Sequence, residues 1–184
     1  MGKIPWIDIF CLAVSIRIVY IALRRGILNE FIKFSGLFIA SFFSLQYYSS
    51  FLGSVFGKAP FFFNEVWLDA ISFVSIFVIS IFVFFLIRKA VAIIFKSEKH
   101  SLWEKIASAV LSIARALLVT SVFVFFFYMI PPLKQGIKKS VSFKITRNIA
   151  PILYIKTYKV YEKINPGANF NKEVENHYEA GSDL

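Results

Sequence analysis

The sequence is poor in the residues that build disulfides, metal sites and soluble surfaces. Its 184 residues include one cysteine and two histidines, and charged residues make up only 17%. The single Cys11 excludes an intramolecular disulfide and a metal site made of several thiolates. His100 and His177 have no ligand spacing around them, so we expect solvated loop residues and neither a metal nor another cofactor. The charged share is also below the roughly 25% of soluble domains.

The chain is instead rich in apolar and basic residues. Hydrophobic residues make up 58% of the sequence, 23 residues are phenylalanine, and the formal net charge is +10. Soluble domains contain about 45 to 50% apolar residues, so this composition indicates a membrane protein. The basic residues cluster beside apolar runs and in the C-terminal region, where membrane topology places them. We therefore expect these basic residues to contact the bilayer and its anionic headgroups, and we expect no binding of nucleic acid.

Four apolar stretches are long enough to cross a bilayer, which takes about 20 residues per helix. We predict an all-α integral membrane protein in which residues 1–133 form a four-helix transmembrane domain, with helices at about 5–23, 27–52, 67–87 and 106–130. The end of the third helix stays open, since the apolar segment AVAIIF lies just beyond its basic doublet. Pro131 and Pro132 close the fourth helix, because proline cannot extend one. Asp8 and Arg17 interrupt the first stretch, so we expect it to be retained and not cleaved as a signal peptide.

Beyond the double proline the chain becomes basic. Residues 134–164 are predicted to form a basic amphipathic segment on the membrane surface, followed by a flexible polar tail over residues 165–184. A helix over residues 151–165 places Lys156, Lys159 and Lys163 on one side. Its other side carries apolar and aromatic residues: Leu153, Tyr154, Tyr158, Val160, Tyr161 and Ile164. This pattern is typical of an interfacial helix that lies in the headgroup plane.

Charge alone leaves the orientation in the membrane open. With both termini outside the cytoplasm, seven basic residues fall in the internal loops, and the external side also has seven when the tail is counted only as far as Arg147. The positive-inside rule is counted over short loops and weakens for long translocated segments. We therefore expect both termini outside the cytoplasm.

Several ionisable residues lie inside the predicted helices, and each needs a partner or contact with water or headgroups. Each costs roughly 2.5 to 3.5 kcal/mol at the centre of a helix in the bilayer. Asp8 lies in a first helical turn, where a carboxylate complements the helix dipole. Arg17 has two open interpretations, a buried contact or a side chain that reaches the headgroups. Glu30 has a local partner in Lys33, three residues further along the same face.

Arg115 in the fourth helix indicates a contact between helices. The small residues Ser108, Ser112 and Ala116 form a strip beside it, on which another helix can approach closely. An arginine beside such a strip needs a carboxylate partner, and Glu30 lies near the same membrane face. We predict an ion pair between Glu30 and Arg115, with an arginine that reaches the headgroups as the alternative.

Several of these motifs resemble the colicin V production protein family, CvpA. They are WID near the N-terminus, RRGILNE with Arg25, Gly26 and Glu30, then Gly36, and EKIASAVLSIARA ending at Arg115. The resemblance extends from about Pro5 to Lys163. The chain departs from the family at Ser108, Ser112 and Ala116, where glycines are usual, and at Glu104 and Lys105, where an Asp-Arg pair is usual.

The resemblance implies a four-helix, multi-pass protein of the bacterial inner membrane. The family is linked to colicin V production or export and to envelope upkeep. Related membrane regions are fused to extracytoplasmic serine protease domains, which implies a C-terminus on the periplasmic side. This chain has no G-x-S-x-G segment and no triad-like arrangement of serine and histidine.

The sequence leaves two classes of function open. No nucleophile with a base, no phosphate-binding glycine loop and no metal-ligand cluster occurs in the sequence, so we expect no enzyme. The first class is a membrane scaffold or assembly factor that contacts an envelope or export protein, or a second copy of itself. The alternative is a small oligomeric transporter or channel component, with a polar path lined by Asp8, Arg17, Glu30 and Arg115.

Overall fold

The computed structural model describes residues 5–23, 27–56, 65–94, 102–167 and 169–176. Within these ranges the chain forms the seven α-helices named below, a further short helical segment over residues 172–176 and no strand, as the all-α prediction requires. The helices are α1 Trp6–Ala22, α2 Ile27–Phe56, α3 Glu65–Ile94, α4 Leu102–Met129, α5 Pro131–Lys138, α6 Val141–Thr146 and α7 Ile149–Ile164. The apolar extension after the basic doublet is therefore helical as far as Ile94 and continues α3.

Three of these helices are long and apolar enough to cross a bilayer: Ile27–Phe51, Trp67–Val91 and Leu102–Met129. The predicted first span is the shorter α1, with 17 residues. At 1.5 Å per residue, α1 is roughly 25 Å long, below the roughly 30 Å of the hydrocarbon core. A fourth membrane crossing by α1 therefore stays a prediction.

Contacts between side chains fix the relative direction of the helices. Trp6 packs edge-on against Phe127, and Phe10 packs in the same way against Phe123 further along, so α1 and α4 are antiparallel. The ring of Tyr48 in α2 contacts Phe73 near the start of α3. Two ends of the bundle result. The Asp8 end contains the starts of α1 and α3 and the ends of α2 and α4, and the Glu30 end contains the opposite termini.

Aromatic rings fill much of the core between α2, α3 and α4. Phe73 is almost fully buried and stacks on Phe77 and Phe126, with ring centroids 6.2 and 6.1 Å apart. Phe125 of α4 packs against both Phe73 and Tyr48. Such ring pairs contribute about 0.5 to 1.5 kcal/mol each beyond their buried area. The phenylalanine-rich composition thus supplies contacts between helices as well as surface for lipid.

The double proline ends α4 and also begins a new helix. Ile130 has an extended backbone, as expected for a residue before proline. Pro131 and Pro132 then occupy the first positions of α5, where a missing N–H group has no consequence. The helices α5, α6 and α7 follow, and all three contact α4.

The chain after α7 differs from the predicted flexible tail over residues 165–184. Within its described part, the Asn171 amide donates to the Leu45 carbonyl oxygen at 2.8 Å, and Val174 is fully buried. The Gln46 amide donates to the Asn169 carbonyl oxygen at 2.6 Å. This part of the tail packs on α2 because its apolar and amide groups find partners there. Residues 177–184 lie outside the described residues.

Candidate functional site: a buried ion cluster between α2 and α4

Glu30 is the centre of the site. It is the fourth residue of α2, its side chain is fully buried, and the first turn of a helix favours a carboxylate. Arg115 of α4 places Nη1 at 2.5 Å from Glu30 Oε2. Lys33, one turn along α2, forms an ion pair with Glu30 Oε1. The predicted contact between Glu30 and Arg115 is therefore present in the structure.

The geometry explains how one buried carboxylate is tolerated. Both carboxylate oxygens have a cationic neighbour, and the Arg115 side chain is only 10% exposed. A buried charge without a partner is strongly unfavourable, and loss of one member of a buried pair typically destabilises a protein by about 3 to 5 kcal/mol. The cluster thus joins α2 to α4 and opposes sliding of one helix along the other.

The start of α4 explains why residues at such different helix positions meet. Glu30 lies in the first turn of α2, whereas Arg115 follows thirteen residues after the start of α4 at Leu102. The beginning of α2, with Ile27, faces Ala107 and Val110 of α4. The first turn of α4 therefore projects beyond the start of α2, and Trp103 in it is 80% exposed.

The small residues near Arg115 are buried, as a strip for close helix contact requires. Ser108, Ser112 and Ala116 have almost no exposed surface. The Ser112 hydroxyl donates to the Ala109 carbonyl oxygen at 2.7 Å, so its polar group is satisfied within α4. Both α1 and α2 contact α4. A role for these residues beyond packing stays a prediction.

Gly36 allows close approach of α2 and α3. A Cβ atom at this position would lie 2.7 Å from the Cβ and Cγ atoms of Phe84, closer than real contacts allow. Two turns of α2 after Glu30, glycine thus lets the backbone meet an aromatic ring of α3. The other glycine of the motif, Gly26, and its neighbour Arg25 lie outside the described residues.

Asp8 has a role that the sequence interpretation missed. Its Oδ1 accepts hydrogen bonds from the Ser140 hydroxyl at 2.6 Å and the Ser142 N–H at 2.8 Å, and its Oδ2 accepts one from the Val141 N–H at 3.2 Å. The Ser140 hydroxyl in turn accepts a hydrogen bond from Phe143 N–H. Asp8 therefore satisfies the free N–H groups at the start of α6 and joins α1 to the C-terminal helices.

The four residues of the proposed polar path are not brought together. Glu30 and Arg115 meet, but Asp8 lies at the opposite end of the bundle, and Arg17 is exposed on α1. The exposed side chain of Arg17 is compatible with contact to headgroups. Among the described residues, no group of three or more His, Cys, Asp or Glu is placed to hold a metal ion. Both histidines lie outside the described ranges.

The α7 helix has the predicted lysine face, and part of its opposite face packs on the bundle. Lys156, Lys159 and Lys163 are exposed, and Tyr154 and Tyr158 are buried. Val160 and Ile164 are 59% and 79% exposed, so they do not pack on the bundle, and their contact with the membrane surface stays a prediction. The tyrosine stripe of α7 packs on α2 and α4, which cover only part of its apolar face.

A polar network holds α7 and the following segment on α2, and the sequence interpretation missed it. The Tyr154 hydroxyl donates to Gln46 Oε1 at 2.7 Å and accepts from the Asn171 N–H at 3.0 Å. Burial raises the pKa of Tyr154 to about 12, so the hydroxyl keeps the proton that it donates. Gln46, an amide within an apolar helix, is the sequence signal that points to this contact.

Comparison with known proteins gives the family. No curated protein and no solved structure was found to match the chain. The family described as Colicin V production protein matches residues 7–151, a range that extends from the second residue of α1 to the start of α7 and includes the ion cluster. With its three apolar helices of membrane-spanning length, the chain belongs to the colicin V production protein family and is a multi-pass membrane protein.

Proposed function

We propose that the protein is a non-enzymatic membrane scaffold or assembly factor that supports colicin V type toxin production or export, or maintenance of the cell envelope. The observation that carries this proposal is the buried cluster of Glu30, Lys33 and Arg115. A carboxylate held by two cations between packed helices suits a rigid platform, because it fixes helix register. Membership of the colicin V production protein family supports this choice of biological process.

The distribution of charge supports a scaffold over a transporter. A transport path needs polar groups that follow one another across the bilayer, usually along a cavity. Asp8 is engaged at the start of α6, Arg17 faces outward, and Glu30 with Arg115 forms a separate contact. Contacts within the fold account for Asp8, Glu30 and Arg115 without a solute.

The C-terminal helices supply the surface for a partner. The α7 helix is held on α2 by the Tyr154 network, and its lysines project away from this contact. Lys156, Lys159 and Lys163 suit anionic headgroups or an acidic surface of an envelope or export protein. In this arrangement α7 presents a basic face beside the Asp8 end.

The orientation belongs to the same proposal: the protein lies in the bacterial inner membrane, with the Asp8 end and both termini on the periplasmic side. Labelling of a Lys163→Cys variant in a Cys11→Ser background tests it. A maleimide that cannot cross membranes should label position 163 in cells with a permeabilised outer membrane. Labelling only after the inner membrane is broken would contradict this orientation.

Reconstitution of the full chain alone into proteoliposomes separates the two function classes. We expect no saturable solute flux above that of protein-free vesicles, and we expect purification from native membranes to recover a stable envelope or export protein. Saturable flux that is lost in Glu30→Gln and kept in the exposed control Glu162→Gln would overturn the scaffold. Recovery of the chain without any partner would also count against it.

A further inference from the structure

A cavity of about 200 Å³ lies between α2, α3 and α4 at the Glu30 end. Its lining includes three cationic side chains, Lys33, Arg88 and Arg115, and an otherwise apolar wall. The cavity is larger than an engineered apolar cavity of about 150 Å³ that binds benzene. It therefore has room for a ligand group with both a charged and an apolar part.

The charge around the cavity is positive. Lys33 and Arg115 pair with the carboxylate of Glu30, and Arg88 adds a further cation to the lining. The guanidinium of Arg88 lies over the Phe85 ring at 5.3 Å from its centroid. An aromatic face orients a guanidinium but does not neutralise its charge. The cavity thus favours an anion.

The positions of the lining residues along the helices give the cavity a polar and an apolar part. Lys33 lies roughly 9 Å from the start of α2 and Arg88 roughly 5 Å from the end of the span Trp67–Val91, at 1.5 Å per residue. The apolar residues Leu37 and Ile81 lie one to two turns deeper. Cations near the membrane surface and apolar walls below them match the order of a phospholipid phosphate and its acyl chains.

The apolar wall also faces outward. Ile81 and Phe85, both in the lining, are 39% and 38% exposed. On a helix that crosses a bilayer, such exposure means contact with lipid. A lipid in the surrounding leaflet can therefore enter from the side.

We propose that this cavity binds one anionic phospholipid, with its phosphate beside Arg88 and Lys33 and the first part of an acyl chain along Ile81 and Phe85. A zwitterionic lipid binds more weakly, since its own cationic group offsets the attraction of the three cations. The proposal requires that α2, α3 and α4 cross the bilayer, and it is independent of the scaffold function.

Native mass spectrometry of the full chain, delipidated in a neutral detergent, tests this site with phosphatidylglycerol and phosphatidylcholine as probes. We expect one phosphatidylglycerol to bind at least about tenfold more tightly than phosphatidylcholine. Arg88→Gln should remove most of this preference, and Arg88→Lys should retain part of it because the charge stays. Lys105→Gln, an exposed cation in the first turn of α4, is the matched control and should retain the full preference.

Three outcomes would overturn the proposal. The first is equal binding of the two lipids by the unaltered chain. The second is an equal loss of preference in Arg88→Gln and Lys105→Gln, since the effect would then come from net charge alone. The third is displacement of phosphatidylglycerol by millimolar inorganic phosphate, which would make the cavity a site for free phosphate. If Arg88→Gln folds poorly, Lys33→Gln is the second variant to measure. It too should lower the preference for phosphatidylglycerol over phosphatidylcholine.

Discussion

Two carboxylates in first helical turns are stabilised in different ways. Glu30 binds cations of its own helix and of α4, whereas Asp8 accepts hydrogen bonds at the start of α6. The contact of Glu30 with Arg115 was predictable, because a strip of small residues beside Arg115 indicates a packed arginine that needs a carboxylate. The hydrogen bonds of Asp8 were not, since Ser140 lies 132 residues from Asp8 and nothing in the sequence fixes the position of the six-residue α6.

The hydrogen bonds of Asp8 lead to a prediction at the residue scale. Asp8→Ala removes the acceptor for Ser140, Val141 and Ser142 and leaves N–H groups without a partner. We expect a loss of about 2 to 3 kcal/mol in unfolding free energy, given about 1.5 to 3 kcal/mol for a hydrogen bond to a charged group. Hydrogen exchange at the amides of residues 141–143 should rise strongly.

Asp8→Asn is the matched control for this prediction. It retains one acceptor oxygen and the size of the side chain, so the amides should be protected to an intermediate degree. Equal protection in the unaltered chain and in Asp8→Ala would show that Asp8 does not hold α6.

At the scale of elements, apolar runs predicted which segments are helical better than where the helices end. The predicted third and fourth helices, 67–87 and 106–130, correspond to Glu65–Ile94 and Leu102–Met129. Hydropathy detects the apolar part of a helix, which contacts lipid or the protein core. The helix continues beyond this part where polar residues also favour helical structure. The amphipathic pattern of α7 was recognised, but such a pattern does not say whether protein or membrane covers the apolar face.

The docking of α7 leads to a prediction at the element scale. Tyr154→Phe removes one oxygen and leaves Gln46 Oε1 and the Asn171 N–H without this partner. Each buried polar group without a hydrogen bond costs about 1 to 3 kcal/mol. We expect faster proteolytic cleavage and faster hydrogen exchange over residues 169–176.

Tyr161→Phe provides the comparison, because the Tyr161 hydroxyl forms an exposed hydrogen bond with the Tyr47 hydroxyl at 2.8 Å. This variant should leave the exchange of residues 169–176 nearly unchanged. Similar effects of the two variants would contradict a specific network at Tyr154.

At the scale of the whole molecule, the bundle is held differently at its two ends. At the Asp8 end, hydrogen bonds and aromatic rings join α1, α2 and α4 to the C-terminal helices. At the Glu30 end, ion pairs join α2 to α4, and the lipid-facing cavity lies beside them. Composition predicted a membrane protein, but the fold of the C-terminal helices onto the bundle depends on contacts between distant residues that no local pattern encodes.

The most direct test of this account is a double-mutant cycle on Glu30 and Arg115 in the full chain, with unfolding free energy as the readout. Glu30→Gln and Arg115→Gln should each cost about 3 to 5 kcal/mol, since the first removes the carboxylate that Arg115 binds and the second leaves Glu30 with Lys33 alone. The double variant should cost less than the sum of the two by at least about 1 kcal/mol, as expected for residues in contact. If the two effects add to within about 0.5 kcal/mol, the ion pair does not join α2 to α4.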